Sequence, residues 1–298
     1  MAVFIKPTVS RKLNFASRPL MQSLPALVLA IASSTSNDLI AQTQEASAPT
    51  GLVARQWDVA NIPLHAARLP NQPADVELSA SFSHESGSQI KVPGFWNGDH
   101  DYLVRFTPPI PGLWRYVTES TLNSLDGNNG EISVLPAAEG RTGGVTVAQA
   151  QPRTFAYERG KPYFPIAFDC DWLFALDAEN PDDIPVTRKF VDTLADAGFN
   201  QVVMNVFAYD VNWEKDQRIL AKHDYGSPRV FPFGGSNDQP DHSRLNLDYF
   251  RRLDRVISYL NQKGIAAHLM IYVWNKRVNW PPANSAADNR YFDYVVKR

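Results

Sequence analysis

Asp169-Cys170-Asp171-Trp172 sets two carboxyl groups two residues apart beside an indole, directly after the short apolar run Tyr163–Phe168. Carboxylates accept charge-assisted hydrogen bonds, so this pair could hold sugar hydroxyls while a sugar ring stacks on Trp172. Asp169 could equally do no more than tie the turn from strand to loop. Asn205 interrupts a second apolar run, Gln201–Val206, and Tyr209-Asp210 follows it. A buried amide needs partners, so Asn205 reads either as a structural hydrogen-bonding group or as a ligand contact. A third run, Ala266–Tyr272, closes on Trp274-Asn275, a stacking platform beside a hydrogen-bonding amide. His268 lies inside that run and reads as an interior histidine with satisfied hydrogen bonds or as a ligand contact.

Other chemistry-bearing residues fit less well. His223-Asp224 and Asp241-His242 lie in the long polar stretch Phe207–Arg244, and their spacing matches no standard metal motif. No metal or other cofactor is expected. Cys170 is the single cysteine of the chain, which excludes an intramolecular disulfide and a multi-thiolate metal site. Its two acidic neighbours would raise a thiolate pKa and weaken it as a nucleophile.

The elements that carry these residues alternate between strand and helix. After Tyr163–Phe168, the pattern predicts a helix capped by Asp182 or Asp183, with Pro185 in its first turn, a Phe190/Val191/Leu194 stripe and Gly198 past its end. A second helix starts near Asn246 and stops at Gly264; a third begins near Asp288. Continuous apolar strands between helices predict parallel strands buried on both faces. An open doubly wound sheet and a (β/α)8 barrel both fit. No G-x-G-x-x-G or G-x-x-x-x-G-K motif follows a strand, which weakens the nucleotide-binding alternative. Polar and aromatic residues gather just after each strand, where barrel enzymes keep their sites. Three strands between Lys161 and Arg298 fall short of the eight units and roughly 250 residues of a barrel, so the expectation is its first three βα units, incomplete at 141–298.

Residues 51–140 carry a different period. Asp75–Ser83 alternates, with Val76, Leu78, Ala80 and Phe82 on one side. Leu52–Val59, Gln89–Val92, Tyr102–Thr107, Leu113–Glu119 and Glu131–Leu135 are further strand candidates, separated by Gly- and Pro-rich turns. Short strands at this spacing predict an all-β immunoglobulin-like sandwich, with Trp57, Trp96, Trp114 and Tyr116 in its core or, alternatively, binding sugar.

The N-terminus reads as a leader. Lys6, Arg11, Lys12 and Arg18 precede the apolar run Leu20–Ala32, which is too short for a bilayer span of about 20 residues. Ala30-Ile31-Ala32 offers a small-x-small cleavage site, so residues 1–32 form a signal peptide and 33–50 a polar linker. The product is expected in the periplasm or outside the cell, free of the membrane after cleavage. The 298 residues carry 29 basic and 31 acidic side chains, a balance that argues against a nucleic-acid partner.

Two sets of motifs carry a family resemblance. Val92–Asp99 (VPGFWNGD), Tyr102–Pro108 (YLVRFTP) and Pro111–Tyr116 (PGLWRY) resemble the bacterial domain of unknown function numbered 5060. Pro162–Ala167 (PYFPIA), Ala197–Asn200 (AGFN), Phe231–Gly235 (FPFGG) and His268–Asn275 (HLMIYVWN) resemble the apiosidase-like barrels of the domain of unknown function numbered 4038. The resemblance implies an immunoglobulin-like domain before a TIM-type glycosidase barrel, and a secreted glycoside hydrolase acting on plant-type or other polysaccharide. Such hydrolysis uses two carboxyl groups, one as general acid and one as base or nucleophile. In the related barrels these acids stand at the fourth and later strands, and this chain ends before a fourth strand. Neither catalytic carboxylate is therefore assigned, and the chain by itself is expected to be inactive. Asp169, Asp171, Trp172, Asn205, Asp210, Trp274 and Asn275 are expected on a substrate-binding rim. The alternative is a non-catalytic polysaccharide-binding or cell-surface adhesion protein.

Overall fold

The computed structural model describes residues 51–171, 173–180, 182–207, 214, 216–218, 220, 230–236, 238–273 and 277–298. The predicted leader and linker lie outside them, as do Trp172, Asp210, Trp274 and Asn275. Among the described residues no helix is long and apolar enough to cross a membrane.

The first part is a nearly closed β sandwich. Its strands are β1 (Leu52–Arg55), β2 (Ala60–His65), β3 (Leu78–His84), β4 (Gln89–Gly98), β5 (Asp101–Phe106), β6 (Gly112–Ser120) and β7 (Asn129–Leu135). They are ordered β1-β7-β6-β3-β4-β5-β2. β4 joins the two layers: Gln89–Pro93 pair with β3, and Gly94–Gly98 pair with β5. Gly94 marks the crossing, where a Cβ would come within 2.5 Å of Leu78 Cδ2. Leu78, Ala80 and Phe82 from β3 meet Tyr102, Val104 and Phe106 from β5 and Ala60, Ile62 and Leu64 from β2 in one core. Such side-by-side alternation is what period-two patterning buries.

Two sequence expectations change here. The run Leu52–Val59 breaks after Arg55, because Trp57 adopts a positive φ of 65° in a turn, and a separate edge strand, β2, follows. Trp114 is fully buried, and Trp96 and Tyr116 pack against the core, but Trp57 does not join it. Its ring meets the Arg159 guanidinium at 5.7 Å instead.

The second part opens with a small antiparallel sheet of β8 (Val145–Val147), β9 (Phe155–Tyr157) and β10 (Pro162–Tyr163). The predicted strand Tyr163–Phe168 therefore divides. Its start pairs with β9, and its end becomes β11 (Ala167–Asp169). β11, β12 (Gln201–Asn205) and β15 (Ala266–Met270) form a parallel sheet in the order β11-β12-β15. Helix α1 (Pro185–Asp196) links the first two strands; α2 (Leu247–Gln262) precedes β15 and α3 (Ala286–Lys297) follows it. Between β12 and α2 lies a two-stranded hairpin, β13 (Phe233–Gly235) and β14 (Pro240–Leu245). The long polar stretch thus contains strands of its own.

Each helix has a local cause. Pro185 starts α1 with a preset φ. The expected Asp182 or Asp183 cap is absent: the N-cap is Ile184, without a side-chain cap bond. The buried Asp177 carboxylate takes that role from a distance in sequence, accepting from Val186 N at 3.0 Å, Thr187 N at 2.8 Å and Thr187 Oγ1 at 2.7 Å. Asn246 caps α2 through Tyr249 N, and Ser285 caps α3 through Asp288 N. Gly198 and Gly264 follow α1 and α2 at φ 84° and 72°, in the left-handed region where glycine is favoured.

Among the described residues, helices cover the sheet on one face. Val202 and Met204 have no exposed surface and join Phe168, Ala267 and Leu269 in a core with α1 and α2. The opposite face carries exposed Asp169 and His268 and half-buried Gln201, Val203 and Asn205. The expected burial on both faces does not hold among the described residues, because Asp169, Gln201, Asn205 and His268 put polar groups on this face.

Candidate functional site

The tips of β11 and β12 bring together three of the sequence-derived rim residues. Asp169 is paired in register with Val203. Beyond it the ladder continues: Cys170 N donates to Val203 O at 2.9 Å and Asn205 N to Asp171 O at 3.1 Å. These two bonds lay Asp171 alongside Asn205. The Asn205 Oδ1 is buried and accepts no hydrogen bond, an arrangement that normally costs free energy unless a ligand or water completes it.

Charge at this end is unevenly held. Asp171 is solvent-accessible, yet its carboxyl is raised above the ordinary carboxylate range, first by partial desolvation and then by the negative charge of Asp169. Both carboxyl groups offer oxygens that can accept hydrogen bonds from the hydroxyls of a polyhydroxylated ligand.

A second polar row crosses the same face nearer the start of the strands. Tyr163 Oη donates to Gln201 Oε1 at 3.0 Å, and Gln201 Nε2 lies 3.0 Å from His268 Nδ1. His268 is thus an exposed, hydrogen-bonded residue of the open face rather than an interior one. Burial, with Tyr157 adding to it, raises the Tyr163 phenol above its ordinary value, so it stays a donor. Gln201 was missed as a site residue although it stands at the alternate positions 201, 203 and 205; its place at the start of the strand hid it.

Past the strand tips, aromatic rings pack together. Phe207 lies 4.2 Å from Trp280 and 5.8 Å from Tyr291, and Tyr272 lies 4.5 Å from Trp280. Tyr249 Oη donates to Val206 O, and Tyr291 Oη to Ile271 O at 2.9 Å. These bonds fix where the chain leaves β12 and β15.

The weaker metal candidates are engaged elsewhere where they are described. His242 Nε2 meets Asn279 O at 2.9 Å, and Asp241 accepts from Ser243 Oγ at 2.5 Å and pairs with Arg244. His223 and Asp224 lie outside the described residues. Among the described residues no group of three or more His, Cys, Asp or Glu stands together.

A parallel sheet with helices on one face and polar groups on the other defines an α/β architecture that many functions share, and the comparisons narrow it to a family. The apiosidase-like catalytic domain matches residues 149–298, half of the chain, and the domain of unknown function 5060 matches residues 53–121. The chain belongs to the apiosidase-like family. A crystal structure of a candidate glycoside hydrolase from Bacteroides vulgatus is similar at 25% identity and a TM-score of 0.67, over 83% of this chain and 47% of that one. This chain therefore spans about half the length of that relative. A Paenibacillus sp. cycloisomaltooligosaccharide glucanotransferase complexed with cycloisomaltoheptaose matches at 11% identity and a TM-score of 0.18, over 74% of this chain and 26% of that one, too low to bear on the fold. No curated protein matches the chain.

Proposed function

We propose that β11, β12 and β15 are consecutive strands of a (β/α)8 glycoside hydrolase barrel, and that their open face and C-terminal tips bind polysaccharide. One observation carries the reading. A parallel sheet inside the apiosidase-like segment hides apolar residues under helices and presents Asp169, Gln201, Asn205 and His268 on its other face, as strands lining a barrel interior do. Asp169 and Asp171 accept hydrogen bonds from sugar hydroxyls, and the unsatisfied Asn205 Oδ1 supplies a further acceptor; Trp172, Asp210, Trp274 and Asn275 are proposed as further sugar contacts from their sequence positions alone.

Hydrolysis then follows the two-carboxyl mechanism. Under this reading the acid–base pair belongs to strands other than these three, the protein is secreted by way of residues 1–32, and 51–140 is an immunoglobulin-like companion domain. The test pairs turnover with affinity on a panel of plant polysaccharides. The 298-residue chain binds without turnover, and Asp169→Asn with Asp171→Asn weakens binding roughly tenfold, or about 1.4 kcal/mol. Turnover by the pure chain removes the assignment of the pair to other strands; unchanged affinity removes the rim.

A further inference from the structure

Trp96, on the sandwich strand β4, lines a cleft of about 850 Å³ whose far side is the β13–β14 hairpin and the first turns of α2. Topology places this cleft. α2 connects two parallel strands and so runs against them, starting at their C-terminal end, and β14 leads straight into it. The hairpin side of the cleft therefore stands at the same end of the sheet as Asp169 and Asp171.

The chemistry of the walls selects a ligand class. The Trp96 indole is pinned, because its Nε1 donates to Asp99 O at 2.8 Å. The guanidiniums that line the cleft are already neutralised. Arg290 pairs with Asp75 through two bonds of 2.6 and 2.7 Å, and Arg251 pairs with Asp248 at 3.0 Å while donating to Asn97 O at 2.8 Å. Arg244 meets Asp241 at 3.3 Å. Beside these paired charges the cleft presents the exposed neutral side chains Asn71 and Gln72, and Ser243, whose hydroxyl donates to Asp241 and can still accept. A fixed aromatic ring among neutral amides and hydroxyls suits a polyol with apolar ring faces and no net charge.

We propose that this seam between sandwich and hairpin is a second carbohydrate site, which takes a neutral oligosaccharide stretch with one sugar ring stacked on Trp96. It lies outside the strand-tip rim and rests on the proposed function only for the ligand's chemical class.

The test uses the whole chain, with calorimetric titration of xylohexaose, mannohexaose and cellohexaose, and of oligogalacturonate as the anionic control. Asn71→Ala combined with Gln72→Ala alters exposed side chains and keeps the melting temperature; it is expected to weaken binding of a neutral hexaose roughly tenfold. Trp96→Ala is expected to weaken it at least as much, and Trp96→Phe, which keeps a ring against the sandwich, to lose less. Asp169→Asn with Asp171→Asn is expected to leave a binding phase that the cleft variants remove. That separation supports the cleft whatever becomes of the rim. Neutral hexaose binding unchanged in the cleft variants overturns the proposal, as does wild-type protein that binds no neutral hexaose or prefers the oligogalacturonate. Binding lost only in the rim variant overturns the cleft and leaves the proposed function standing.

Discussion

Arg105 on β5 and Asp254 on α2, 149 residues apart, form a two-point ion pair of 2.9 and 2.7 Å that fastens the sandwich to the helical layer. Both side chains are about three-quarters hidden from solvent. Asp254 also accepts from Arg298 at 2.8 Å, and the Arg105 and Arg298 guanidiniums lie 4.9 and 5.0 Å from the Phe95 ring centre. The carboxylate therefore compensates two cations gathered around one ring.

Removing that carboxylate should cost more than an ordinary surface ion pair. Asp254→Ala leaves two largely covered guanidiniums facing each other without their shared anion, and breaking such pairs destabilises more than forming them stabilises. The expected loss is about 2 kcal/mol or more in urea unfolding. Lys91→Ala, which breaks an exposed pair with Glu119, should change stability by under about 1 kcal/mol. Equal effects of the two would remove the fastening role.

The start of α1 offers a second contrast. Asp177 is buried and holds three donors of the first turn, whereas Asp182 lies nearer in sequence but supplies no cap bond. Asp177→Ala should destabilise by about 1–3 kcal/mol, the range for a lost cap that leaves buried donors unsatisfied. Asp182→Ala should leave the urea midpoint nearly unchanged. A larger shift for Asp182 would restore the local cap that the sequence suggests.

That contrast shows what the sequence exposes and what it conceals. Helix ends set by local chemistry were legible: Asn246 caps α2, and Gly198 and Gly264 occupy left-handed positions. A cap delivered by Asp177 was not, because its position depends on the fold of residues 173–177 against α1. The sandwich period was legible in Leu78, Ala80 and Phe82, but β2 was hidden by Pro63, which an edge strand tolerates. At the site, Asp169, Asp171 and Asn205 announced themselves as polar residues in or after apolar runs. Their mutual placement did not, since it comes from backbone bonds between neighbouring strands. His268 was legible as a hydrogen-bonding residue, but its partner Gln201 was not, because their contact spans two strands.

The acid pair at the β11 tip should show itself in titration. Asp171 is raised, with burial the larger cause and Asp169 the smaller. By NMR, its carboxyl should titrate above the ordinary carboxylate range, and Asp169→Asn should lower that midpoint without returning it fully. The sign for stability follows. A carboxyl whose folded-state pKa is raised has no effect while protonated in both states, and it opposes folding increasingly as pH rises through and above its ordinary range. Asp171→Asn should therefore gain stability at neutral pH and gain nothing in strong acid. A gain confined to acid would contradict the assigned shift.

The sidedness of the parallel sheet can be read from adjacent residues of β12. Met204 has no exposed surface and points into the core beneath α1 and α2, while Val203 stands on the polar face between Asp169 and His268. Truncating a fully buried methionine removes its transfer free energy and leaves a cavity, so Met204→Ala should cost about 2–5 kcal/mol. Val203→Ala removes less surface and opens no enclosed void, so its cost should stay near 1 kcal/mol or below. Denaturant unfolding of both variants measures the difference directly. If Val203→Ala proves as costly as Met204→Ala, something packs against the polar face, and that face is then no open lining for a sugar chain.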